Sequence, residues 1–132
     1  MAINAEQYVT TTDSPTFRAN SDIEQYHALA LVGERSVEPI TDGTAEEFIG
    51  VAKTGADAGD EVGVKDSNQH AVQVSDDAEV SAPAHLVPSS TAGQLRALNT
   101  GGATGETEAD SIAMAVTDED ADDTVTANLN RQ

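Results

Sequence analysis

Two stretches of this chain repeat one another 63 residues apart. The first runs Phe48-Ile49-Gly50-Val51-Ala52-Lys53-Thr54, turns through Asp57-Ala58-Gly59-Asp60, and returns as Glu61-Val62-Gly63-Val64. The second runs Ile112-Ala113-Met114-Ala115-Val116-Thr117, turns through Asp120-Ala121-Asp122-Asp123, and returns as Thr124-Val125-Thr126-Ala127. Ile49 thus falls on Ile112, Val51 on Met114, Ala52 on Ala115, Asp57 on Asp120 and Val62 on Val125. Both the apolar period and the turn chemistry recur, which marks a duplicated β-hairpin unit.

The rest of the chain fits around these hairpins as short strands. Tyr26-His27-Ala28-Leu29-Ala30-Leu31-Val32, a turn at Gly33-Glu34-Arg35 and Val37-Glu38-Pro39-Ile40 precede the first hairpin. Ala84-His85-Leu86-Val87-Pro88, a turn over residues 89–93 and Gln94-Leu95-Arg96-Ala97-Leu98 precede the second. Pro39 cannot donate to a ladder, so its strand is expected at an edge or at its own end. Ala71-Val72-Gln73-Val74 reads as a short linking strand. Turns recur every 8–12 residues and no useful helix period appears, so the expected fold is all-β: a small barrel or sandwich of two similar four-strand units. The repeat is placed at about residues 26–65 and 80–129, within a β domain spanning 23–132.

Residues 1–22 are different text. Ile3, Tyr8, Val9 and Phe17 are the large apolar residues there, interrupted by Asp13-Ser14-Pro15. Ordering some twenty residues costs on the order of 20–40 kcal/mol, and four apolar anchors return about 6–12. Such an arm holds only when its backbone pairs with a neighbour or when many copies act together. Ile3, Tyr8, Val9, Phe17 and Arg18 are therefore the candidate contact residues of an extended N-terminal arm.

Charge narrows the partners. Asp and Glu number 24 against 6 Lys and Arg, a net charge of −18, with Lys53 and Lys65 the only lysines. A chain with so few cations releases no counterions from phosphates, so nucleic acid is not expected as a partner, and an anionic membrane repels it. Strand periodicity argues against a disordered acidic tail and for adaptation to high salt, where the screening length falls to about 3 Å. Cysteine is absent, which removes disulfides and thiolate chemistry. No basic-then-apolar leader opens the sequence and no apolar run reaches bilayer length, so the expectation is a product made and used without Sec-type export.

Nothing in the sequence singles out catalysis. Asp118-Glu119-Asp120-Ala121-Asp122-Asp123 resembles a calcium loop, but Asp123 and Leu129 stand where an EF-hand needs Gly and Glu, which points to a solvated turn. His27, His70 and His85 have no metal spacing, although His27 and His85 fall on corresponding strands where they would be able to face each other. Gly50, Gly55, Gly59 and Gly63 lack the lysine and the strand-to-helix context of a phosphate loop. No enzyme activity, cofactor or metal site is expected.

The string Phe48-Ile49-Gly50-Val51-Ala52 followed by Ala56-Asp57-Ala58-Gly59-Asp60-Glu61-Val62-Gly63-Val64 resembles the capsid cement, or head decoration, proteins of tailed double-stranded DNA viruses. The weaker closing copy of that family's hairpin is matched by Ile112-Ala113-Met114-Ala115-Val116 and Asp122-Asp123-Thr124-Val125, with Ala113 and Asp122 in place of Gly50 and Gly59. The segment from Val80 to Pro88 with Gly93-Gln94-Leu95-Arg96-Ala97-Leu98 is similar to the family's intervening strands. The resemblance implies a β-rich virion protein added outside an assembled head. Its partners would be the major capsid protein and copies of itself, as a homotrimer. With the acidic composition, it implies a member from a haloarchaeal virus. A cation-dependent binding domain at a halophile's surface and a small carboxylate hydrolase remain as other readings of the residues.

Overall fold

The computed structural model describes residues 16–75 and 78–129. Among the described residues, ten strands fold as two five-stranded units. The first unit contains β1 (Thr16–Ala19), β2 (Ala28–Gly33), β3 (Ser36–Pro39), β4 (Phe48–Ala52) and β5 (Glu61–Lys65). The second contains β6 (Gln69–Gln73), β7 (Ala84–Pro88), β8 (Leu95–Ala97), β9 (Ala113–Ala115) and β10 (Thr124–Asn128). The all-β expectation holds, with a closed barrel and a second sheet.

Each unit carries the four expected strands in order and adds a fifth before them. In the first unit the order is β1-β3-β2-β4-β5, closed by β5 against β1. In the second it is β6-β10-β9-β7-β8. Read around the ring these orders are the same, with β6 in the place of β1. Register agrees as well: Phe17 opposes Val62 as Val72 opposes Val125. Closure is also repeated. Ala19 pairs in parallel with Val37, and an isolated parallel bridge joins Val74 to Leu95. The Asn20 N–H donates to the Val37 carbonyl, and the Ser75 N–H to the Leu95 carbonyl, both at 2.8 Å. The linking strand read at residues 71–74 is thus largely the opening strand of the second unit, and residues 16–19, read as arm, are a barrel strand.

Alternation explains the two cores. Ala19, Leu29, Val37, Ala52, Val62 and Val64 fill the first barrel. Ala28, Ala30 and Val51 point the other way from β2 and β4, and with Ile40 they join the core of the second unit, against Val72, Val74, Leu86 and Leu95. Being buried on both faces is why β2 begins as an unbroken apolar run. Pro39 ends β3, past its last pairing with β1, as expected of a residue with no N–H.

Candidate functional site: a barrel rim and a sealed seam

The rim of the first barrel is built by the start of β1 and the turn between β2 and β3. Arg35 adopts a left-handed conformation in that turn (φ 51°), which swings its guanidinium over the Phe17 ring, 5.0 Å from the centroid. The same guanidinium donates to the Thr16 carbonyl, and the Arg18 N–H donates to the Arg35 carbonyl at 2.7 Å. A shallow cavity of about 340 Å³ opens here, lined by Phe17, Arg18, Glu34, Arg35 and Glu61 among others. Leu31 and Val32, which lead into the turn between β2 and β3, are each 39% exposed.

Of the sequence-predicted contact residues, Phe17 and Arg18 are brought to this rim. Phe17 is half-buried against the first core, and Arg18 is exposed opposite Glu61. Ile3, Tyr8 and Val9 lie outside the described residues. Arg35, Leu31 and Val32 had been read only as turn and strand. Their signal was three bulky residues at a hairpin tip, where small polar ones are usual.

One turn of the second unit bonds directly across the seam between the units. The Ala28 N–H donates to the Gly93 carbonyl and the Gly93 N–H donates to the Ile40 carbonyl, both at 2.8 Å. Gly93 has φ +86° and lies against the His27 ring. The His27 Nδ1 accepts from the Glu24 N–H at 3.3 Å, so its proton sits on Nε2, 3.8 Å from the Glu24 carboxylate. Burial lowers the affinity of this imidazole for a second proton, partly opposed by Glu24. His85 instead lies on the outer face of β7, 3.6 Å from Glu108, and His70 packs on Tyr26 with ring centroids 5.8 Å apart. His27 and His85 thus sit in separate surroundings, as polar-tipped residues just before β2 and on β7. Among the described residues no three His, Cys, Asp or Glu are grouped to hold a metal ion.

Carboxylates are spent on the backbone. Asp120 accepts from the Asp122 and Thr124 N–H groups and from the Thr124 hydroxyl at 2.9–3.1 Å, which holds its pKa below the usual value. Glu119 accepts from the Val80 N–H at 3.0 Å, the place where Ala56 of the first unit pairs with Ile23 through backbone groups. Glu106 forms a two-pronged ion pair with buried Arg96, at 2.8 and 2.6 Å. It also accepts from the Asn99 N–H at 2.7 Å, closing the glycine-rich loop over residues 99–106. A cleft of about 470 Å³ between the units is lined by Asp42, Glu46, Glu47, Glu106 and Asp110 along with Val87 and Pro88.

No protein-family model matches the sequence, and no curated protein does. Among solved structures, the head fiber gp8.5 N base of bacteriophage phi29 is similar, with a TM-score of 0.63 at 20% identity over 90% of this chain and 94% of that one. The likeness establishes a shared fold along nearly the whole of both chains.

Proposed function

We propose that this chain is a non-enzymatic virion protein that decorates and reinforces the outside of an icosahedral capsid. The observation that carries the reading is the fold, shared across nearly full length with the base of a phage head fiber. Two features support it. The exposed surface is rich in carboxylates, which suits the outer side of a shell and not the side packed with DNA. The rim around Phe17 and Arg18 lies where the chain emerges from residues 1–15, which hold Ile3, Tyr8 and Val9. On this reading those residues contact the major capsid protein, and many copies make weak individual contacts durable. The net charge of −18 supports a concentrated-salt setting and a haloarchaeal host.

The test is binding to heads that lack the protein, at molar salt. Full-length protein is expected to co-sediment with heads to a saturating stoichiometry. A chain carrying Ile3→Asp, Tyr8→Asp and Val9→Asp together is expected to keep its circular dichroism and remain in the supernatant. Undiminished binding by that variant removes the arm from the contact, and absence of binding by the full-length protein removes the capsid reading.

A further inference from the structure

The duplication leaves a contact unfinished. Inside the chain, the rim of the second unit, meaning the turn over residues 89–94 and the Val74–Leu95 bridge, seats on the outer face of β2 and β4. Each unit owns one rim and one such face. The internal seam uses the second unit's rim and the first unit's face, so the first unit's rim and the second unit's face remain.

Those two surfaces carry the apolar residues left in the open. Among the described residues the large exposed hydrophobics are Leu31, Val32 and Val116. Leu31 and Val32 stand on the first rim. Val116 follows β9 and shares its outward parity with Met114, the partner in register of His85. His85 and Met114 occupy the positions that Ala28 and Val51 hold on the first unit's buried face.

Cations are unevenly placed. Residues 16–66 and residues 67–129 contain eleven carboxylates each, but the first stretch has four cations, with Arg18 and Arg35 at the rim, and the second has one, Arg96, which is buried in its pair with Glu106. Glu108 stands beside His85 on the open face. The rim arginines share their surface with Glu34 and Glu61, so charge contributes only where a guanidinium meets Glu108 directly, since direct contact survives screening.

We infer that the occupant is a second copy of this chain, joined head to tail: the Leu31/Val32 rim of one copy on the His85/Met114/Val116 face of the next, in imitation of the internal seam. Such a contact is heterologous, so it closes into a ring or continues as a string. The inference stands on the duplication and not on the virion reading, and purified protein without capsids tests it.

Light scattering of the full chain at molar salt, across a hundredfold dilution, is expected to show concentration-dependent species above the monomer. Val32→Asp and Val116→Asp, each separately, are expected to return the protein to monomer with unchanged circular dichroism. Mixed in equal amounts they are expected to form a species of twice the monomer mass and no larger, since one supplies an intact face and the other an intact rim. A second pair, Val32→Thr and Val116→Thr, repeats the test with smaller perturbation. Protein that is monomeric at every concentration overturns the inference, as does association indifferent to both substitutions. Two monomeric variants that fail to complement also overturn it, because a symmetric contact behaves that way.

Discussion

Gly93 of the second unit and His27 of the first are packed so closely that a Cβ on Gly93 would lie 2.5 Å from the His27 Cγ. Two constraints meet at this one residue: a left-handed φ of +86° and a buried ring packed against it. The seam between the units therefore depends on a residue with no side chain. Gly93→Ala is expected to lower stability by about 2–4 kcal/mol in denaturant unfolding. In a His27→Ala background the same change is expected to cost only about 1 kcal/mol, the backbone part. Additive losses would show that the ring is not the obstacle.

Acid should loosen the seam before it loosens anything else. Burial depresses the His27 pKa below its ordinary 6.5, so the unfolded chain takes up a proton that the folded chain resists. Stability from this group is full above pH 6.5 and falls as pH drops below it, with a limiting slope of about 1.4 kcal/mol per pH unit. Glu106 and Asp120, both held below their usual values, add their loss only under about pH 4.5. Glu119, raised by burial, works in the opposite sense and gains from acid. His27→Asn keeps an acceptor for the Glu24 N–H and is expected to flatten the profile between pH 6.5 and 5. An unchanged slope in that variant assigns the acid loss elsewhere.

The Arg96–Glu106 pair holds the loop over residues 99–106. Glu106→Ala takes the carboxylate away from a buried guanidinium and is expected to cost about 3 kcal/mol. Arg96→Met with Glu106→Leu removes both charges and is expected to recover most of that loss. Thermal unfolding at molar salt, read by circular dichroism, distinguishes the two; equal losses would mean that the loop and not the charge pair is responsible.

Low salt should destabilise the whole molecule. With net charge −18 and few close cations, the carboxylates repel one another once the screening length grows from about 3 Å at 1 M to about 30 Å at 0.01 M. Dialysis to millimolar salt is expected to lower the melting temperature and to begin unfolding. A melting temperature constant over that range would contradict adaptation to brine.

The hairpins were legible in the sequence because residues 49–62 and 112–125 share both period and turn residues, and the structure pairs β4 with β5 and β9 with β10. The opening strands were not. Phe17 and Val72 occupy one register position, yet their neighbours share no residue pattern, since a strand position facing a core demands only bulk and apolarity. The Gly50 and Ala113 difference, visible in the sequence, has a spatial cause. A Cβ at Gly50 would lie 2.4 Å from the Lys65 carbonyl oxygen, whereas Ala113 carries its Cβ buried in the second core. The seam was invisible for another reason: Gly93 read as a turn glycine, and only the placement of His27 against it shows a close approach. At the rim, Phe17 and Arg18 were recognisable as apolar and cationic residues near the chain's start. Arg35 was not, because its role depends on a backbone turn that folds it over Phe17.

The most direct measurement is an electron-cryomicroscopy reconstruction, at molar salt, of heads lacking the protein to which the full chain has been added. The account predicts two-unit β density on the outer surface of the shell, anchored on the side of Thr16. Density inside the shell, or a particle from which the protein is absent, would contradict it.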